Sequence, residues 1–385
     1  MKTKLIPGRL RLLSGGPYQK PAFPFAFQFR SPDDPAAVAL RKKHRLLEIA
    51  GDGSDFARAR RLKTWVRSHW DHGYDNQGAE NTQPQDALDI LALAARGKRF
   101  HCWFYRRTLT QCCLAVGLLA REMGVCRRQI DFPDEIGSNH SHAVTEVYCR
   151  ELGKWVMLDA DANAFYTIDD TPANSFEVHH AWHANRRRKI KQVLDSPRFV
   201  IPTDSTVYTS EEQPTVWRDF FRYRTMDYYH HIFTHLLNGF STLPPQLEQK
   251  FIWYVGKVQP LLLMTYYGND LDRFLFIEEP THFNWPLNRT YLSAAMRPGK
   301  PSNQIEVRVD HTMPFFDHFE ISIGRQPFRT FSGDRLRFAC PTGKTVVQAR
   351  CIDSFGRSGE PARICVELQP ASAAVLARRK LKGCG

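Results

Sequence analysis

The chain contains no apolar run near the roughly 20 residues that a membrane-spanning helix needs, and stretches such as LLLM at 261–264 stop after a few residues. No export segment is recognisable either, because the N-terminal MKTKLIPGRLRLLSGG is broken by Pro7, Gly8 and Gly15-Gly16. A soluble, cytoplasmic protein without membrane partners is expected. The nine cysteines are odd in number, unevenly spaced and include no CxxC, which excludes a zinc ribbon and argues against a disulfide framework. There is no Gly-rich phosphate loop and no internal repeat. Acidic residues are fewer than basic ones, 40 against 53, leaving a net charge of +13. The excess gathers in RARRLK at 58–63, RRRKIK at 186–191 and a tail ending ARRKLKGCG. With no nucleic-acid-binding motif beside them, these clusters are read as solvated faces and a tail, and nucleic acid is not an expected partner.

What is present suffices for large cores: 42% of the 385 residues are apolar, with 26 Phe and 8 Trp. Helical periodicity marks Ala36–Ile49, Asp55–His69 with Ser54-Asp55 as a cap, and Asp86–Arg96 closed by Gly97. The polar DHGYDNQGAENTQPQ between the last two reads as a loop. Next comes a helix in CWFYRRTLTQCCLAVGLLAR, residues 102–121, with Tyr105, Leu109, Cys112, Cys113 and Val116 as a buried stripe. HAVTEVYC at 142–149 and KWVMLDA at 154–160 alternate as half-buried strands around a RELG turn. Four regions are expected: a catalytic domain with an N-terminal arm over 1–200, an aromatic and mostly helical extension over 201–283, a β-sandwich over 284–370, and a basic tail over 371–385.

Chemistry is expected where the Cys102 helix meets the strand pair. A thiol at a helix mouth faces unpaired N–H groups and the positive end of the dipole, and both favour thiolate. If RELG and its two neighbours form the loop, Val147 pairs with Lys154, and His142 then lies directly opposite Asp159 on one face. A thiolate, an imidazole base and an orienting carboxylate are what nucleophilic acyl chemistry requires. Asp161 is the fallback orienter and His140 the fallback base.

These three segments, in this order, resemble the core motifs of the transglutaminase-like superfamily, most closely those of cytoplasmic peptide:N-glycanases, though without the CxxC pairs of the glycanase zinc site. The resemblance covers roughly residues 50–170. It implies a papain-like α+β catalytic core with a catalytic Cys102, His142 and Asp159; the short alternating runs after Asn284 add an expected Ig/fibronectin-like β-sandwich behind it. In this superfamily an upstream aromatic often lines the oxyanion site, which makes Trp65 and Trp70 candidates; Trp103, beside the nucleophile, is a further candidate for the cleft wall.

The expected function is thiol-dependent acyl transfer, foremost an amidohydrolase or peptidase acting on a protein, peptide or other amide. A crosslinking transglutaminase and a non-catalytic scaffold of the same fold are the alternatives. No cofactor or metal is expected. His179 with His183 and His231 with His235 stand at the helical i, i+4 spacing of metal ligands, but in aromatic surroundings that favour packing at the edge of a cleft. The oligomeric state is left open.

Overall fold

The computed structural model describes residues 8–14, 20, 27–73, 75, 86–126, 141–195, 231–235, 237–239, 251–254, 274–296 and 303–370. The chain divides into two compact units, one of Phe25–Trp285 and one that joins Met1–Pro24 to Pro286–Gly385. Strand β1 (Gly8–Ser14) belongs to the second unit and is described with it.

In the larger unit, β2 (Gln28–Phe29) is followed by α1 (Pro35–Lys43), whose N-cap Asp34 accepts the Ala36 N–H at 3.0 Å. The single helix expected over 36–49 is two, because Arg45 adopts a left-handed conformation before α2 (Leu46–Ala50). Leu40 and Leu46 would lie about 120° apart on one continuous helix. The break lets both become buried. α3 (Asp55–Arg67) carries the expected Ser54 cap, and α4 (Ala87–Ala94) is capped by Asp86. Gly97, at φ 85°, takes the chain away from that helix.

α5 (Cys102–Ala115) is buried on nearly every side from Phe104 onward, rather than along one stripe. Burying Arg106 and Arg107 inside a core demands counter-charge. Glu122 supplies it from β3 (Ala120–Cys126), at 3.1 Å from Arg106 Nε and 2.9 Å from Arg107 Nε. The sequence reading had placed Ala120-Arg121 at the end of the helix; they open this strand instead.

β3 pairs with β4 (Ser141–Cys149), β4 with β5 (Lys154–Asp159), and β5 with β6 (Ala164–Ile168), all antiparallel. β7 (Thr171–Pro172), α6 (Ser175–His183) and β8 (Ile190–Leu194) follow, with β7 and β8 both pairing with β6. On its other side β3 pairs with β9 (His231–His235); β10 (Leu237–Asn238) pairs with β2. β11 (Phe251–Tyr254) and β12 (Phe274–Ile277) continue the sheet to its edge, before the short α7 (Pro280–Phe283). The described parts of 231–277 are therefore strands, three of them in the central sheet and β10 paired with β2, not the helices that their aromatic richness suggested. Aromatic and β-branched residues suit both periods in short segments, and the strand partner β3 is far away in sequence. Residues 278–283, which include α7, are also described; the rest of 201–283 and the tail from 371 lie outside the described residues.

The basic clusters 58–63 and 186–191 are largely spent on internal partners. Lys63 and Arg60 pair with Asp195, Arg61 donates to the Ala50 carbonyl at 2.6 Å, and Arg186, Lys189 and Lys191 pair with Asp169 or Asp170.

The smaller unit contains β13 (Thr290–Met296), β14 (Gln304–His311), β15 (Phe316–Ile323), β16 (Arg329–Phe331), β17 (Arg335–Ala339), β18 (Gly343–Asp353) and β19 (Ala362–Pro370). They form a five-stranded sheet, in the order β1-β19-β18-β15-β16, and a three-stranded sheet, β13-β14-β17. Buried residues of both sheets, among them Leu292, Val307, Ile321, Val347 and Ile364, share one apolar cluster. Part of the expected N-terminal arm, β1, is thus an edge strand of this unit. Among the described residues no helix is long and apolar enough to cross a membrane.

Candidate active site

Cys102 is the first residue of α5, after the N-cap His101, whose Nδ1 accepts the Trp103 N–H at 3.4 Å. Its burial is intermediate, whereas Cys112 and Cys113, about three turns further along the helix, are fully buried. The rest of α5 is fastened to the sheet: Thr110 and Thr145 hydroxyls meet at 3.2 Å, and Thr145 donates to the Arg106 carbonyl at 3.1 Å. These bonds fix the helix mouth relative to β4, the strand that carries His142.

The β4–β5 hairpin is tighter than the sequence suggested. Cys149 pairs with Lys154, and a single 3-10 turn, Arg150–Leu152, with Gly153 in the left-handed region closes the loop. The register is therefore two residues away from the one inferred from RELG, and His142 is not directly opposite Asp159. A shift of two preserves the side-chain face, where a shift of one would invert it. His142 and Asp159 remain on one face as diagonal neighbours, and His142 Nε2 lies 2.8 Å from Asp159 Oδ2. Asp159 Oδ1 accepts the Ala162 N–H at 3.0 Å, which fixes the carboxylate.

The electrostatics follow from this placement. Burial pushes the Cys102 thiol up, but hydrogen bonds to His101 and His142, with the electrostatic pull of the same two rings, outweigh it and bring the thiol down to about 5. For His142 burial opposes the charged form, yet the charge and hydrogen bond of Asp159, joined by Cys102, hold the imidazole well above its ordinary value. Cys112, Cys113 and Cys149 go the other way, because burial dominates and raises each thiol. One cysteine is thus separated from its neighbours by environment alone.

The structure also brings here Asp161, the fallback orienter, together with His72, a partner that sequence reasoning missed. His72 Nδ1 lies 2.8 and 3.0 Å from the two carboxylate oxygens of Asp161. Cys102, His142 and Asp161 offer atoms that all lie within 4.8 Å of one another, the one such cluster of three among the described residues. His72 stood in the polar stretch read as a loop. Its backbone forms a bridge with Phe100, two residues before Cys102, a long-range pairing that leaves no local sequence signal.

The three tryptophans fall in different places. Trp70 is buried, stacked on Tyr105 at 4.4 Å and edge-on to Phe100 at 5.8 Å. Trp65 sits against His69 and His44, on the α3 side. Trp103 is partly exposed beside the nucleophile, with the Arg107 guanidinium over its ring at 5.0 Å. His140 lies outside the described residues. His179 and His183 are on α6 with ring centroids 4.4 Å apart, while His231 and His235 are the ends of strand β9, about 13 Å apart along an extended chain, and do not form a helical ligand pair.

A family-model match covers the segments that carry Cys102, His142 and Asp159. Residues 43–160 match the model of the transglutaminase-like superfamily, a span that begins before α2 and ends just past Asp159. No curated protein matches the chain. Among solved structures, a candidate cysteine protease from Cytophaga hutchinsonii aligns at 15% identity and TM-score 0.25, over 32% of this chain and 37% of its own. Red sea bream transglutaminase aligns at 11% identity and TM-score 0.24, over 89% of this chain and 57% of its own. The chain thus spans well under two thirds of either structure's length. The segment 43–160 is the part of the chain that is similar to the transglutaminase-like superfamily.

Proposed function

We propose that the protein is a thiol-dependent acyl-transfer enzyme, foremost an amidohydrolase or peptidase, with Cys102 as nucleophile, His142 as acid and base, and Asp159 as the group that orients His142. The observation that carries this reading is the partly accessible, low-pKa thiol at the start of α5, hydrogen-bonded to an imidazole whose far nitrogen is 2.8 Å from a buried carboxylate. The Cys102 thiolate attacks the carbonyl carbon of an amide, and the oxyanion develops toward the positive end of α5 and the Cys102 N–H. His142, protonated when the thiolate forms, gives its proton to the leaving amine, which departs and leaves a thioester. His142 then takes a proton from the incoming water as it attacks; the acid product leaves and the thiolate–imidazolium pair is restored. Asp159 keeps the ring in the tautomer and direction both steps require.

A protein or peptide substrate fits the superfamily. Trp103, partly exposed beside the thiol, is the tryptophan best placed to line the cleft. The seven cysteines whose side chains are described are all unbridged, in keeping with a reducing compartment such as the cytoplasm, where such a thiol stays active. The two sheets of the smaller unit, sharing one apolar cluster, support the reading of residues 284–370 as an Ig/fibronectin-like sandwich that accompanies the catalytic domain.

The test is to trap the acyl-enzyme. Incubation with p-nitrophenyl acetate, followed by intact and peptide mass spectrometry, should give an acetyl group on Cys102 that forms in the native protein and not in His142→Ala. Its decay in water against decay with added primary amine measures hydrolysis against transfer. Acetylation spread over other nucleophiles, or absent from Cys102, would sink the proposal.

A further inference from the structure

Asp161 places a difficulty inside this site. Its carboxylate lies within 4.8 Å of both Cys102 Sγ and a His142 nitrogen, and the side chain is fully buried. Two anions this close, poorly shielded by water, repel one another strongly. A bare carboxylate there would disfavour the thiolate that the chemistry needs. Every charged neighbour therefore matters. Cys102 is faced by His101 and His142, and His142 by Asp159. Asp161 is faced by His72, His142 and, more remotely, Arg67; Tyr105 feels the charge of Asp161 and also that of Asp71, and Lys63 on α3 feels that of Asp159.

We propose that His72 is a positioning residue that neutralises Asp161, so that the carboxylate organises the site without suppressing the Cys102 thiolate. The inference rests on Cys102 being the nucleophile. Its geometry is specific. Both Asp161 oxygens contact one ring nitrogen of His72, and only 7% of the His72 side chain is exposed. The His72 backbone is tied to the strand-like segment that leads into α5, through its bridge to Phe100 and the Gly73 N–H donated to the Phe100 carbonyl at 3.2 Å. Just upstream, Tyr105 and Arg67 both donate to the Trp70 carbonyl, which anchors the chain entering His72. The second imidazole is thus fixed from the same side as the nucleophile. In accord with this arrangement, burial opposes the charged form of His72, but Asp161 and then Cys102 hold its pKa above the ordinary histidine value.

The rescue experiment separates a charge effect from a structural one. The pH midpoint of iodoacetamide labelling at Cys102 is read by peptide mass spectrometry in the full chain, in native protein, His72→Gln, Asp161→Asn and the double variant. His72→Gln should raise the midpoint by about one to two pH units, the size expected of an uncompensated like charge at this range. Asp161→Asn should leave the midpoint at or below that of native protein, and the double variant should return to within about half a unit of native, because the offending charge leaves with its counter-ion. An unchanged midpoint in His72→Gln, or a double variant no better than His72→Gln, would overturn the proposal. Should the native protein itself label only in the range of an ordinary thiol, the reading of Cys102 as nucleophile fails first and this inference with it.

Discussion

His142 and Asp159 share a 2.8 Å hydrogen bond although the β4–β5 register does not set them opposite one another. The pairing ends at Thr145 with Leu158, so the imidazole reaches its carboxylate diagonally across the open end of the hairpin. The carboxylate is held in turn by the Ala162 N–H. Orientation of the ring thus depends on a residue that is paired with β6, through Ala164, and not with the strand that carries His142.

Asp159→Asn should retain the fold and lose the chemistry. The amide can still meet the ring, but it favours the wrong tautomer and no longer stabilises imidazolium. Acyl-transfer turnover is expected to fall by roughly 10²–10⁴-fold with an unchanged thermal midpoint. Steady-state turnover of the acetyl ester beside a thermal melt checks both halves.

Arg121 and Glu146 bind one another at 2.6 Å with both side chains wholly buried, and the guanidinium lies over Trp155 at 4.4 Å and Phe283 at 5.0 Å. Glu146 also accepts the Ser175 N–H at 2.6 Å, joining the sheet to the start of α6. Glu146→Ala strands a buried cation and should cost about 3–5 kcal/mol. The double change Arg121→Met with Glu146→Leu should cost markedly less, which urea unfolding of the single and double variants measures.

Lys63 gives the pH dependence of stability a definite sign. Its ammonium is fully buried, and burial outweighs Asp195 to bring its pKa from 10.5 to about 8. The unfolded chain then holds the proton more tightly than the folded one. Stability is therefore diminished below about pH 8 and is regained as pH rises from 8 toward 10.5, by about 3 kcal/mol in all. Lys63→Met should flatten that limb, seen as the difference between the two proteins in urea midpoint from pH 7 to 10.

Much of the larger unit was legible in the chain itself, because local chemistry fixes it. Ser54 caps the helix it was expected to cap, the Cys102 helix begins where expected, and both strands of the hairpin stand where periodicity put them. What escaped was non-local. The register of the hairpin turned on whether four or six residues form its loop, which RELG does not declare. β3 hid behind a helix-like AREMGVC, and β9, β11 and β12 take their strand character from pairing with it. His72 was invisible for the same reason: a histidine between Asp71 and Gly73 reads as loop until Phe100 and Asp161 are brought to it.

The most direct measurement is the pH dependence of iodoacetamide labelling at Cys102, in native protein and in His142→Ala, with Cys112, Cys113 and Cys149 read in the same digest. The expected result is a midpoint near 5 for Cys102, next to inert buried cysteines, and a midpoint in His142→Ala displaced to about 8.5 or above. A Cys102 that labels only above pH 8 in the native protein, and equally in the variant, would contradict a working thiolate–imidazolium pair.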